Sequence, residues 1–79
     1  MRAAKLGSSL ISRICYVEEE KILQVRFRDG RLYCYYEVPS EAFDALRDAE
    51  SAGRHYNREI KGRYRCSYDP ERRRFRPAA

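Results

Sequence analysis

The sequence contains one histidine, three cysteines and no long apolar run in its 79 residues, and each scarcity closes a class of explanation. His55 is the sole imidazole, and Cys15, Cys34 and Cys66 form no Cys-x-x-Cys pair. Metal sites of the zinc type need several such ligands at short spacing, so neither metal nor cofactor is expected. Cys15 and Cys34 fall within strand-like runs, where cysteine behaves as a small hydrophobe, and reduced thiols are expected throughout. A nucleophile activated by a base needs an imidazole or an equivalent beside it, and the carboxylates Glu18, Glu19 and Glu20 are adjacent residues that share no strand face and read as a solvated turn. No catalytic residue is expected, and the chain reads as no enzyme. No stretch approaches the roughly 18 apolar residues of a membrane span, and the first eight residues lack the apolar core of a signal peptide. The expectation is a soluble, cytoplasmic protein without a membrane partner.

What is present is a globular composition, 37% charged and 43% hydrophobic, with a net charge of +5. A chain this short can stabilise about one layer of helix on one sheet. The charge is uneven. Residues 1–53 hold eight Lys/Arg against nine Asp/Glu, whereas residues 54–79 hold nine Lys/Arg against three. A basic end on a near-neutral body points to a polyanionic partner, since guanidinium pairs with phosphate in a bidentate fork.

Residues 10–17 are rich in β-branched and aromatic side chains and read as a first strand ending at the three glutamates. Residues 22–28 alternate, with Leu23, Val25 and Phe27 on one face and Gln24, Arg26 and Arg28 on the other. Asp29-Gly30 and the β-prone run 31–38 complete a hairpin. Two registers are open. A two-residue turn at Asp29-Gly30 sets Val25 opposite Cys34 and turns Tyr33 and Tyr35 outward, as a base-stacking platform. A three-residue loop with left-handed Gly30 sets Val25 opposite Tyr33 and Leu23 opposite Tyr35, which puts both rings in the core. The need of a small chain for aromatic core favours burial. Pro39-Ser40-Glu41 opens a helix whose inner face is Ala42, Phe43, Leu46 and Ala49 and whose outer face is Glu41, Asp44 and Asp48, with Gly53 at its left-handed cap. Residues 54–61 read as a second short helix, docked by Tyr56 and Ile60 and stopped by Gly62. Arg54, Arg58 and Lys61 form its exposed stripe. Tyr68-Asp69-Pro70 reads as a turn, and the Arg-rich end as a tail without a fixed structure.

Together, Ser8-Ser9-x-Ile11, Leu23-x-Val25-x-Phe27, Asp29-Gly30, Tyr33-x-Tyr35, Val38-Pro39, Ser51-x-Gly53, and Tyr56-Asn57-x-x-Ile60 followed by Tyr64 resemble the KTSC domain. The resemblance covers about residues 6–66. It departs from the family at Cys34, where a polar residue is common, and at Cys15, where glycine is. That family takes its name from the C-terminus of some lysyl-tRNA synthetases and includes stand-alone small proteins, so the resemblance implies RNA as a partner. The polar residue between the family's two tyrosines also implies that Tyr33 and Tyr35 point inward. Ser9 and Asn57, at polar positions of the motifs, are expected either to line a ligand site or, as such residues usually do, to satisfy backbone groups in a buried network.

The expected architecture is α+β: a three-stranded antiparallel meander covered by one α-helix and a second short helix. Residues 6–66 form the domain and residues 67–79 a basic tail. The expected function is a non-catalytic nucleic-acid-binding module, for RNA before DNA, contacting phosphates through Arg54, Arg58, Lys61, Arg63 and Arg65 and through Arg72, Arg73, Arg74 and Arg76 of the tail. The alternative is a protein-interaction or adaptor domain for an acidic protein surface, suggested by the opposed acidic and basic helix faces and by free sheet edges.

Overall fold

The computed structural model describes residues 1–69. Five strands, β1 (Arg2–Lys5), β2 (Ile11–Val17), β3 (Ile22–Phe27), β4 (Leu32–Tyr35) and β5 (Cys66–Asp69), form one antiparallel sheet in sequence order. Helix α1 (Ser40–Asp48) and the short α2 (Ala52–His55), which runs into a π-helical turn (Tyr56–Ile60), cover one face. The fold is α+β as expected, but the sheet has five strands rather than three. Residues 67–69, expected to open the tail, belong to β5, so Tyr68 and Asp69 are paired strand and not a turn. Both added strands are four-residue edges.

The β3–β4 hairpin takes the register that buries the tyrosines. Val25 faces Tyr33 and Leu23 faces Tyr35, because Gly30 adopts φ 95° and the Phe27 N–H closes the loop on the Arg31 carbonyl at 2.9 Å. A positive φ is cheap for glycine and lets the loop hold one more residue than a two-residue turn. The outward stacking platform therefore does not form.

Ile14, Tyr16, Leu23, Val25, Phe27 and Tyr35 of the inner sheet face pack against Phe43, Leu46, Ala52, Tyr56 and Ile60. Burying each large apolar side chain contributes roughly 1.5–3 kcal/mol. In α1 the buried residues are Phe43 and Leu46, while Asp44 pairs with Arg2 of β1 and with Arg47. The acidic outer face of α1 is thus partly neutralised from within the chain. Helix α1 stops at Ala49, which turns extended (ψ 141°). Gly53 is not its cap as expected; it lies inside α2, whose first turn is capped by Ser51 Oγ accepting from the Arg54 N–H at 3.4 Å. The second helix also departs from an unbroken α-helix over 54–61. Lys61 N–H bonds the Tyr56 carbonyl five residues back, which keeps Tyr56 and Ile60 both buried, and Gly62 (φ 80°) ends the turn.

No helix among the described residues is long and apolar enough to cross a membrane.

Candidate functional site

The chain between β1 and β2 is held at its ends by backbone bonds, from the Leu6 N–H to the Ser12 carbonyl at 3.0 Å and from the Arg28 N–H to the Leu10 carbonyl at 2.9 Å, and between them by side chains. Ser8 Oγ accepts from the backbone N–H groups of Leu10 and Ile11 at 3.0 and 3.2 Å. Arg28 at the far end of β3 donates to the Leu6 and Ser8 carbonyls, both at 2.9 Å. These bonds fix the segment against the start of α2, where Gly53 comes so close that a Cβ there would stand 3.4 Å from Leu10 Cβ and 3.5 Å from Ser8 Oγ.

Between this segment and the α1–α2 junction runs an open groove of about 670 Å³. Ser8, Ser9, Ser51, Gly53 and Asn57 line it, with Lys5 at one end and Arg54 on the other wall. The polar residues of three separate sequence motifs, which the core does not consume, are therefore gathered along one depression. Ser9 and Asn57 are exposed, so they line a groove and do not form the buried polar network expected of them. Lys5 and Arg54 form no ion pair among the described residues, whereas Arg47 on the rim is engaged by Asp44 and Asp48. The groove thus offers hydroxyls, an amide and two cations without an ion pair among the described residues, against the single carboxylate of Glu50, a net positive lining that suits an oxyanion held at the surface. Sequence reasoning missed Lys5, because β1 had not been recognised as a strand.

The remaining expected contact residues do not share one surface. Arg58 is paired with Glu59 at 3.2 Å. Lys61 is exposed beyond the groove's walls. Arg63 and Arg65 line a separate depression beside Tyr36, Glu37 and Tyr64, where Arg65 lies 5.3 Å from the Tyr36 ring and 3.8 Å from Glu37. Arg72, Arg73, Arg74 and Arg76 lie outside the described residues. Tyr33 is half-buried against Phe27, Tyr35 and Tyr68, and Tyr35 is core. Among the described residues no three His, Cys, Asp or Glu side chains converge as a metal site would require.

Gly53→Ala is expected to raise stability by up to about 1 kcal/mol, since alanine is the better helix former and its Cβ meets neighbours at ordinary contact distance. Thermal unfolding of the variant measures this; destabilisation would show that the α2 approach tolerates no side chain.

Comparison with known proteins places these motifs in context. The KTSC domain family matches residues 7–64. A protein of Tsukamurella paurometabola is 50% identical over 59 residues, covering 75% of this chain and 88% of its own. An uncharacterised protein of Stutzerimonas stutzeri is 43% identical over 61 residues, covering 77% and 86%. A lysine–tRNA ligase of Nostoc punctiforme is 33% identical over 61 residues, which is 77% of this chain but 11% of that enzyme. The crystal structure of a KTSC domain protein from Yersinia pestis superposes with a TM-score of 0.78 at 33% identity, over 84% of this chain and 93% of that one. The matched region begins after β1 and ends before β5, so the two edge strands lie outside it.

Proposed function

This chain belongs to the KTSC domain family, and on that footing we propose that it is a non-catalytic module that binds nucleic acid, RNA before DNA, by phosphate contacts in the groove between the β1–β2 segment and α2. The observation that carries the reading is the convergence of Ser9, Ser51 and Asn57 with Lys5 and Arg54, which form no ion pair among the described residues, along one open depression. An exposed groove suits a polymer lying along the surface, and hydroxyl, amide and cationic donors suit a phosphodiester. The relation to a lysine–tRNA ligase favours RNA. No base-reading side chain is identified, so binding is tolerant of sequence and dominated by counterion release.

Titration of a fluorescent single-stranded RNA and its DNA equivalent, at about 50 and 200 mM salt, tests this. With two phosphate contacts, through Lys5 and Arg54, affinity should fall about sevenfold between the two salt concentrations. Arg54→Ala combined with Asn57→Ala should weaken RNA binding several-fold and lower the salt slope by about 0.7 for the one lost cation. Binding unaffected by that pair of substitutions, or no binding at low salt, would overturn the reading.

A further inference from the structure

Among the described residues the other face of the sheet carries no helix, yet Val17, Ile22 and Cys34 are buried on it, beside a row of cations. The register places Lys5, Arg13 and Arg26 in one row across β1, β2 and β3, each directly beside the next. Like charges facing each other across strands are destabilising, and none of the three forms an ion pair among the described residues. The arrangement depends on a β-bulge at Ser12. Ile11 pairs with Phe27 and Arg13 with Arg26, so β2 spends one extra residue where β3 spends none. Ser12 Oγ closes the irregularity by donating to the Arg26 carbonyl at 3.2 Å. Without the bulge, Arg13 would follow Ile11 to the inner face by simple alternation; with it, Ile11 and Ile14 both stay fully buried and Arg13 is aimed outward at Arg26. The bulge thus makes Arg13 and Arg26 cross-strand neighbours on the outer face.

The next row on the same face is Ala3, Cys15 and Gln24. Its two small side chains leave a pocket of about 350 Å³, bounded by Arg13 and Arg26 on one side and by Met1 and Leu32. Gln24 lines this pocket, is 93% buried by its 7% exposure, and its Nε2 has no hydrogen-bond partner among the described residues. An unsatisfied buried amide costs stability and calls for a partner, such as a water, an ion or a ligand in the pocket.

We propose that this pocket is a second binding site, independent of the groove, for a phosphate monoester carried on an apolar body, of the size and chemistry of a mononucleotide. Arg13 and Arg26 take the phosphate, the Gln24 amide donates to the body of the ligand, and Ala3, Cys15, Leu32 and Met1 provide its apolar contacts. The volume lies at the small end of ligand sites, and paired guanidinium groups match a dianionic phosphate in charge and fork geometry.

The test is NMR titration of the full isotope-labelled chain with adenosine monophosphate, with inorganic phosphate and adenosine as separate arms. Saturable shifts of the Gln24 side-chain amide and of the Arg13 and Arg26 Nε–H resonances are expected with the monophosphate, weaker ones with phosphate, and none at the arginines with adenosine. Arg13→Gln with Arg26→Gln should reduce the monophosphate affinity at least about tenfold, the loss of one strong charged contact or more. Gln24→Leu guards against a folding failure of that variant. It removes the orphan amide and is expected to raise the melting temperature by about 4 °C or more while weakening the monophosphate shifts at Arg13 and Arg26 toward those seen with inorganic phosphate. Arg54→Ala with Asn57→Ala, which addresses the groove, should leave these shifts unchanged. Absence of shifts at Gln24, shifts confined to the groove, or retained affinity in the double arginine variant would overturn the proposal without touching the RNA reading.

Discussion

Replacing Tyr35 by phenylalanine is expected to destabilise the chain by about 1–3 kcal/mol, and adding Tyr56→Phe is expected to restore much of the loss. The two hydroxyls are hydrogen-bonded to each other beneath the helical layer, and both residues are buried. Neither hydroxyl has another partner among the described residues. Removing one oxygen leaves the other buried without a partner, which carries the full desolvation penalty, whereas removing both leaves an apolar contact of nearly the same shape. The rings stay in place, since Tyr56 is also edge-on to Phe27 at 5.2 Å and to Tyr35 at 6.0 Å. A domain of this length is stable by only roughly 0.05–0.15 kcal/mol per residue, so a loss of this size is readable as a large fall in denaturation midpoint. Urea unfolding of the wild type, both single variants and the double variant measures it. A double variant as unstable as the sum of the singles would show that the hydroxyls act separately and that the bond between them is not what holds the π-helical turn on β4.

The residues that build this pair were legible in the sequence, and the pairing itself was not. Alternation in Leu23-x-Val25-x-Phe27 locates β3 because its inner face is uniformly apolar, although Ile22 and Gln24 on the other face are buried too, and Phe43 and Leu46 mark the inner face of α1. The hairpin register hung on whether Gly30 takes up a loop residue, a matter of one backbone angle that residue types alone leave open. Strands β1 (Arg-Ala-Ala-Lys) and β5 (Cys-Ser-Tyr-Asp) escaped detection because they are edges that owe their place to backbone pairing with β2 and β4 rather than to β-forming side chains. The groove was half visible. Ser9, Asn57 and Arg54 were singled out individually, but their convergence depends on the Arg28 and Ser8 bonds that hold the intervening segment. The outer-face row had one signal that went unused: Ile11 and Ile14 are three apart within a strand, which strict alternation forbids and a bulge at Ser12 explains.

Alkaline pH should unfold this protein unusually steeply, and the same tyrosine pair is the reason. Burial pushes the Tyr35 and Tyr56 hydroxyls above the ordinary tyrosine value; the bond between them raises Tyr35 further and offsets part of the rise at Tyr56. Tyr16, whose hydroxyl donates to the Val38 carbonyl at 2.5 Å, is raised in the same sense by burial and by the negative charges of Glu18 and Glu41. In each case the folded state holds its proton more tightly than the unfolded state, where tyrosine ionises near about pH 10. The contribution is therefore fully present below pH ~10 and is lost as the pH rises from there toward the folded-state values. In that window the unfolded chain binds fewer protons than the folded one, so the unfolding free energy falls by about 1.4 kcal/mol per pH unit for each such tyrosine, or about 2.7 for Tyr35 and Tyr56 together. Denaturation midpoints should be insensitive to these groups between pH 7 and about 9.5 and then drop sharply. The Tyr35→Phe, Tyr56→Phe double variant should show a shallower alkaline fall than the wild type, even where its stability at neutral pH is similar. Equal alkaline slopes in the two proteins would mean that both hydroxyls ionise in the folded state as readily as in the unfolded one, and that the pair is not sealed from water.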